Sequence, residues 1–408
     1  MIQLLIDYAY EYHIDLILND IDHKDSYPLI EAIQQDNIEI IQLLFEYSNY
    51  HNIVIDLNNN SYYSKNNSPF FEAFKKNNIP IVNLLIEYAD QHNIKIDINR
   101  KGKDGNSPLL IAVEENSIWK VKFLMRYAKR HQIILNINEK NRNKNSPLSE
   151  AINENKKEIL HLLMKYCNEN NIILNMKEKY FCERTLFLAS IFSRDYSFIE
   201  LIMKYYQKHN IILNINEKDR NHVYPLMFAV NQNDIKLVKL LIKYAKTNHL
   251  TLDINNKNRD IGEMCPLHIA IAFNYMEVLK LLIDYAEKNN VSIDINRKDQ
   301  RGNYLFLEAI HQDNLEAVQL LIEYAERNHI LININGKDFF DDYPLFMAIY
   351  RGNGAVVKLI IDYCECHKII LNMNQTNEFG KYPIEYSIAD HCTKISELLI
   401  MPKNIILF

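Results

Sequence analysis

Glycine and cysteine are both rare in this sequence, with eight and six residues among 408. No glycine-rich phosphate loop, nucleophile elbow or kinase signature is present, which argues against the common nucleotide-binding and hydrolytic enzymes. Six cysteines without the spacing of a disulfide framework indicate a reducing compartment. No apolar run approaches the roughly 18 residues that a membrane span needs. Asp7 and Glu11 interrupt the N-terminal apolar segment, so it does not resemble a signal peptide. We therefore expect a cytoplasmic or nuclear protein without a transmembrane segment.

The composition is that of a chain able to build a core, with 48% apolar and 24% charged residues. The net charge of −6 gives no general case for binding nucleic acid. Asparagine, isoleucine, lysine and tyrosine are all abundant, and tyrosine alone occurs 26 times. The spacing of these tyrosines shows how the chain is organised.

A tyrosine recurs every 39 or 41 residues along nearly the whole chain, which indicates an internal repeat. The series is Tyr8, Tyr47, Tyr88, Tyr127, Tyr166, Tyr205, Tyr244, Tyr285, Tyr324 and Tyr363. A second series marks the start of each unit with Pro28, Pro69, Pro108, Pro147, Pro225, Pro266, Pro344 and Pro383, and Thr185 and Leu305 fill the two missing positions. A small residue follows four positions later in every copy. The length alone would suggest two or three domains. Because stacked repeats share one continuous core, the repeat predicts a single array instead.

One copy carries a recognisable signature, in Pro266-Leu267-His268-Ile269-Ala270 followed by Leu281-Leu282-Ile283. This copy resembles an ankyrin repeat. The resemblance implies an all-α fold: a solenoid of stacked helix-turn-helix units joined by β-hairpin-like finger loops, with about ten repeats. We expect a single array over 1–408, with an incomplete N-terminal repeat at 1–27, nine repeats at 28–382 and a truncated C-terminal repeat at 383–408.

The units depart from the family pattern in ways that predict local structure. Asparagine or aspartate replaces the glycine of the inter-helix turn in most copies, and both tolerate a left-handed backbone. Tyr-Ala replaces the Gly-Ala stop signal, so the second helix should continue for about one more turn. An Asn/His pair then ends it, and an alternating apolar segment predicts a short extended stretch. Ser68, Ser107 and Ser146 should cap the first helices, whereas the tyrosines at this position cannot.

Candidate chemistry is sparse. Many of the fourteen histidines recur at the end of the second helix, where they interact favourably with the helix terminus. The local cluster Cys364-Glu365-Cys366-His367 lacks a second pair at zinc-site spacing, and His391-Cys392 is only a distant candidate. The repeated Asp-Ile-Asn, as in Asp97–Asn99, resembles a turn whose asparagine is hydroxylated in some family members, but a turn asparagine bonding its own backbone is the simpler interpretation. We predict no catalytic residue, cofactor or metal, and therefore no enzyme.

The function that this predicts is a non-enzymatic protein–protein interaction module or scaffold, and we expect it to be a monomeric array or part of a longer chain. The alternative is the partner-recognition segment of a larger protein, such as a degradation adaptor, a channel cytoplasmic region or an ankyrin-fused enzyme. Family members usually bind through the finger tips and the exposed side of the first helices. The corresponding residues here are Tyr62, Tyr63, Lys75, Lys76, Glu114, Glu115, Arg142, Tyr180, Phe181, Arg220, His222, His311, Phe339, Phe340, Tyr350, Arg351 and Phe379.

Charge is distributed unevenly along the repeat. The finger loops together carry a net positive charge, although the chain as a whole is negative. This favours an acidic protein or peptide as partner. The position before each repeating tyrosine is basic in four consecutive copies, at Arg126, Lys165, Lys204 and Lys243. Lys120 and nearby lysines were expected to widen this basic band on the second helices.

Overall fold

The computed structural model describes residues 2–22, 26–58, 68–102, 104–174, 184–258, 262–376 and 380–385. These residues form 19 α-helices that alternate between short and long along the chain. The chain divides into two compact units, one of residues 1–181 and 185–211 and the other of residues 182–184 and 212–408. None of the described helices is both long and apolar enough to cross a membrane.

Unit 1 contains an unpaired first helix and five pairs. Its helices are α1 (Ile2–Glu11), α2 (Pro28–Gln34), α3 (Ile38–Tyr50), α4 (Pro69–Lys75), α5 (Ile79–Gln91), α6 (Pro108–Glu114), α7 (Ile118–His131), α8 (Pro147–Asn153), α9 (Lys157–Glu169), α10 (Leu186–Ser193) and α11 (Tyr196–Lys208). Short helices pack on short ones of the next repeat and long on long. Helix α1 packs against α3, as the long helices of the later repeats pack against one another.

Unit 2 contains four pairs with the same alternation. Its helices are α12 (Pro225–Asn231), α13 (Ile235–Thr247), α14 (Pro266–Ala272), α15 (Met276–Lys288), α16 (Leu305–His311), α17 (Leu315–Arg327), α18 (Pro344–Tyr350) and α19 (Gly354–His367). The four short helices pack side by side. The repeated alanine of each, such as Ala270 or Ala309, is fully buried, which allows this close approach. The predicted stacked helix-turn-helix solenoid is therefore confirmed.

The short helices begin as predicted, with a serine cap in some repeats and an uncapped tyrosine in others. The side chains of Ser68, Ser107 and Ser146 accept hydrogen bonds from the backbone N–H three residues later. Tyr224 and Tyr343 make no such cap. Each instead donates its buried hydroxyl to a backbone carbonyl of the following repeat, at Asn256 and Gln375. These helices therefore lack a side-chain cap, and the tyrosine in the cap position makes a hydrogen bond between repeats instead.

The long helices end as the sequence predicted. They run for 13 or 14 residues in the complete repeats, because the Tyr-Ala pair continues the helix. The second residue of the Asn/His pair then adopts a left-handed conformation, as at Asn93 with a φ of 55° and His329 with a φ of 55°. The turn between helices uses the same device at Asn233 and Asp313, with φ values of 49° and 50°.

The segments after the long helices show the predicted alternating burial without forming strands. Ile96 and Ile98 are buried, as are Leu135 and Ile137. Across the described residues the only β-bridge lies between Asn258 and Met264, whereas other fingers close with a backbone hydrogen bond across the turn, as from the N–H of Asp299 to the carbonyl of Asn303.

Side-chain amides connect these segments instead. Asn99 donates to the carbonyl of Ile134 at 2.7 Å and accepts from the N–H of Asn136 at 3.0 Å. Asn216, Asn255 and Asn296 make the same pair of bonds to the next repeat. The expectation that this asparagine bonds its own backbone is therefore wrong. Its amide bridges repeats because the extended segments of adjacent repeats run side by side with unpaired backbone groups.

The repeating tyrosine is a second bridge between repeats. Its hydroxyl accepts a hydrogen bond from a backbone N–H 31 residues earlier in most copies, for example Ile96 to Tyr127 at 3.1 Å and Ile332 to Tyr363 at 2.9 Å. In several copies it also donates to a carbonyl two residues before that N–H. The tyrosine period is thus the period of a buried link between one repeat's long helix and the extended segment before it.

Candidate functional site

A groove of about 550 Å³ lies between three consecutive finger loops of unit 2. It is lined by Gly262, Met264, Asp299, Gln300, Arg301, Phe339 and Phe340. Backbone hydrogen bonds hold these fingers together, from the N–H of Gln300 to the carbonyl of Gly262 at 2.9 Å and from the N–H of Phe339 to the carbonyl of Arg301 at 3.0 Å. The groove walls are therefore fixed relative to one another.

An aspartate shapes each of the two later fingers. Oδ1 of Asp299 accepts from the N–H groups of Arg301 and Asn303, both at 2.8 Å. Oδ1 of Asp338 accepts in the same way from Phe340 at 2.8 Å and Asp342 at 2.9 Å. These turns present the two residues after each aspartate at the finger tip.

The groove carries two of the predicted aromatic residues on its rim. Phe339 is 73% exposed and Phe340 is 51% exposed, although an apolar ring gains free energy from burial. A side chain at Gly302 would meet the Phe339 ring at 2.9 Å, so this glycine allows the ring to lie against the finger. The predicted residues Tyr350 and Arg351, at the end of α18, are also exposed. Exposed aromatic and arginine side chains are those that dominate protein interfaces.

His311, at the end of α16, is half-buried beneath these fingers. Its Nε2 lies 3.7 Å from Oδ2 of Asp338. Burial lowers the pKa of His311, an effect that Asp338 opposes and Arg351 reinforces. The imidazole is therefore neutral near pH 7, and it does not line the groove.

The predicted residues of unit 1 that the structure describes are charged side chains, and most of them form ion pairs. Lys76 pairs with Asp36 at 3.0 Å, and Lys75 lies 3.9 Å from Asp104. Glu115 pairs with Lys120 at 2.6 Å. Glu114 and Arg142 are exposed. The pKa of Glu114 is raised, chiefly by partial desolvation of its carboxylate and then by the negative charge of the nearby Glu150. Most of these charges are thus already engaged on the surface.

The other predicted residues divide into two groups. Arg220 and His222 are exposed on the first finger of unit 2 and do not line the groove. The remaining candidates lie outside the described residues, and they are Tyr62, Tyr63, Tyr180, Phe181 and Phe379.

Sequence reasoning missed Gln300 and Arg301. They occupy the same two positions after the turn aspartate as Phe339 and Phe340. This equivalence in the sequence could have identified them, because a groove between two fingers is lined by residues of both fingers.

Lys120 corrects a further expectation. It was assigned to the exposed basic band of the second helices, but its side chain is fully buried. Its ammonium donates to the carbonyl of Phe74 at 2.8 Å and to Glu115 at 2.6 Å, and it lies 5.0 Å from the centre of the Phe74 ring. This lysine stabilises the packing of α7 rather than a docking surface.

The reactive side chains of unit 2 are arranged for packing. Sγ of Cys265 lies 3.0 Å from Nδ1 of His268, and both side chains are buried. Burial raises the pKa of the Cys265 thiol to about 11 and lowers the pKa of His268 to about 4. The pair is therefore neutral and inaccessible, which makes Cys265 a poor nucleophile.

The candidate cluster near the end of α19 is not brought together. Cys364 is buried, whereas Cys366 is exposed. Nε2 of His367 lies 2.6 Å from Glu326 instead. His391 and Cys392 lie outside the described residues.

Comparison with known proteins finds a family match for part of the chain. Residues 186–299 match a family model described as ankyrin repeats, in three copies. No curated protein matches the chain. Among solved structures, one described as an ankyrin repeat protein is similar at 22% identity with a TM-score of 0.41, over 53% of this chain and 97% of that one.

Proposed function

We propose that the chain, whose residues 186–299 match a family model described as ankyrin repeats, is a non-enzymatic interaction module that binds a protein or peptide partner through the groove between the fingers of unit 2. Ankyrin repeats in general are protein–protein interaction modules. The finer assignment, to this face and these residues, depends on the geometry of the groove.

The observation that carries the proposal is the exposure of Phe339 and Phe340 beside Arg301. Two adjacent phenylalanines exposed by half or more cost solvation free energy unless a partner covers them. The groove beneath them has room for side chains of an extended segment. Tyr350 and Arg351 extend the same kind of surface onto the end of α18.

A binding role also fits the chemistry of the buried thiol. Cys265 would be the natural nucleophile of unit 2, but it is buried and its thiol pKa is raised. The four cysteines among the described residues are unpaired, which supports a reducing compartment such as the cytoplasm.

The partner segment that fits best is apolar with acidic flanks. The phenylalanines provide apolar contacts, and Arg301 and Arg351 provide guanidinium groups that pair with carboxylates. The three fingers of the groove, 255–265, 296–304 and 335–343, are neutral in sum, so the preference for acidic flanks rests on the two arginines. Such steering weakens as salt screens the charges over about 8 Å at physiological ionic strength.

The test begins with affinity purification and mass spectrometry to identify a partner. Binding of that partner is then measured by calorimetry for the Phe339→Ala/Phe340→Ala variant, which we expect to raise Kd by at least tenfold, on the order of one hot-spot residue. Leu331→Ala is the matched control, because Leu331 is 60% exposed but lies outside the groove. A double variant that binds as the control does would contradict the assignment of this face.

The same titration at low and physiological salt tests the acidic partner. Affinity should fall as salt rises. Affinity that does not change with salt would leave the apolar groove in place but remove the electrostatic preference.

A further inference from the structure

Three potential metal ligands converge beneath the Phe339 finger. They are Nε2 of His311 on α16 and the carboxylates of Asp338 and Asp342 in the finger loop. One ligand atom from each lies within 4.8 Å of the others. The Asp338 side chain is only 1% exposed, so this is a buried carboxylate rather than a surface acidic patch.

The two oxygens of Asp338 have different surroundings. Oδ1 is engaged by the two N–H groups of the turn. Oδ2 is buried and, among the described residues, has no hydrogen-bond partner, and the same holds for Nε2 of His311. A buried polar atom without a partner costs free energy, so both atoms point to a ligand between them.

The repeat itself provides a control for this position. Asp219 occupies the equivalent place in an earlier finger of unit 2, and its Oδ1 also accepts from two N–H groups of its turn. Its Oδ2, however, accepts from Nε of Arg184 at 3.1 Å. The same carboxylate oxygen is thus neutralised by a cation in one repeat and faces a histidine and a second carboxylate in the other.

Asn303 strengthens the comparison. It precedes Asp338 by 35 residues, the spacing at which Arg184 contacts Asp219 and Asn106 contacts Asn141. Oδ1 of Asn303 is buried and also has no hydrogen-bond partner within the described part of the chain. A fourth acceptor is therefore available where the repeat places a contact with this aspartate.

The separation of the His311 and Asp338 atoms suits a shared metal ion. At 3.7 Å it exceeds the usual limit of a hydrogen bond. Two ligands about 2.0–2.2 Å from a tetrahedral zinc ion lie roughly 3.3–3.6 Å apart. A small closing movement would place both atoms on one ion.

We propose that His311, Asp338 and Asp342 bind a divalent transition metal ion of the zinc class, with the amide oxygen of Asn303 as a further candidate ligand. An imidazole with two carboxylates suits zinc better than magnesium or calcium, which take oxygen ligands almost exclusively. The combination occurs in one repeat only, because the positions equivalent to His311 hold other residues in the other copies, such as Asn231 and Tyr350.

The ion would act on the finger that carries the exposed rings. Phe339 and Phe340 lie between the ligands Asp338 and Asp342, and His311 belongs to the preceding first helix. Metal binding would therefore tie the finger to α16 and hold the two rings in one position. This proposal concerns the metal alone and is tested without any partner.

The test is calorimetry of the metal-free full chain with Zn²⁺, and with Mg²⁺ for comparison. We expect one tight Zn²⁺ site, no comparable Mg²⁺ site, and visible absorption of the Co²⁺ form typical of tetrahedral coordination. His311→Gln and Asp338→Asn should each weaken that site by at least tenfold, since even second-shell changes cost about 10–100-fold. Asparagine keeps the turn at this position, as Asn141 does by accepting from the N–H of Asn145 at 2.9 Å.

One control variant and one further measurement complete the test. His329→Asn removes an exposed histidine at a left-handed position that asparagine tolerates, and it should leave the site unchanged. Zn²⁺ should also slow hydrogen exchange at 338–342 in the wild type but not in Asp338→Asn. If the wild type shows no tight Zn²⁺ site, or if the ligand variants bind Zn²⁺ as the His329→Asn control does, the proposal is wrong.

Discussion

Replacing Tyr324 by phenylalanine removes one hydroxyl and so tests the hydrogen bond that this tyrosine makes to the preceding repeat. Tyr324 is buried, and its hydroxyl accepts from the N–H of Ile293 at 2.9 Å and lies 3.4 Å from the carbonyl of Val291. Phenylalanine keeps the ring and its packing, so the variant removes the hydroxyl and leaves the N–H of Ile293 buried without its partner.

The magnitude follows from the cost of that donor. A net hydrogen bond contributes about 0.5–1.5 kcal/mol, and leaving a buried partner unsatisfied costs about 1–3 kcal/mol. We therefore expect Tyr324→Phe to lower the free energy of unfolding by about 1–3 kcal/mol. Urea unfolding measures this loss, and hydrogen exchange should show faster exchange at the Ile293 amide.

Tyr50→Phe is the matched control, because Tyr50 is 71% exposed. Surface changes of this kind usually alter stability by less than about 0.5 kcal/mol. If Tyr324→Phe is as mild as Tyr50→Phe and the Ile293 amide exchanges at its original rate, the tyrosine period reflects ring packing rather than the hydrogen bond.

Two further predictions concern local chemistry of unit 2. Asn233→Ala should destabilise the chain by about 1 kcal/mol, because a Cβ without a compensating polar group is strained at a φ of 49°. Asn233→Gly should be neutral or stabilising. Urea unfolding measures both variants, and equal stability of the two would refute this prediction. The pKa of His268 is about 4 in the folded state, so the unfolded chain gains its proton first as the pH falls below about 6.5. Stability should therefore fall between pH 6.5 and 4 by up to roughly 3 kcal/mol and then level off. His268→Leu, which introduces the residue found at the equivalent positions 110 and 307, should lose this part of the pH dependence; an unchanged pH profile would show that His268 does not titrate in this way.

The sequence predicted most of the fold because the repeat amplifies weak signals. A single Asn/His pair is poor evidence for a helix end, but the same pair in successive copies is strong evidence, and the left-handed residues at Asn93 and His329 confirm it. The serine caps and the uncapped tyrosines followed from side-chain chemistry alone. What the sequence did not predict were bonds between repeats, such as those of Asn99 and Tyr127, because their partners lie 31 to 37 residues away.

The candidate site was predicted less completely for the same reason. Phe339, Phe340, Tyr350 and Arg351 are exposed, as their finger and first-helix positions predicted, and their contact with a partner stays a prediction. The groove between fingers was not predicted, because it depends on how residues of three repeats come together. The contact between His311 and Asp338, a finger residue of the same repeat, was not predicted either.

The most direct test of the central claim is a hydrogen-exchange footprint of the chain with and without its purified partner. Our account predicts that partner binding slows exchange in the finger segments 299–301 and 338–342 and at the end of α18. Slower exchange confined to the long helices, with these finger segments unchanged, would contradict it.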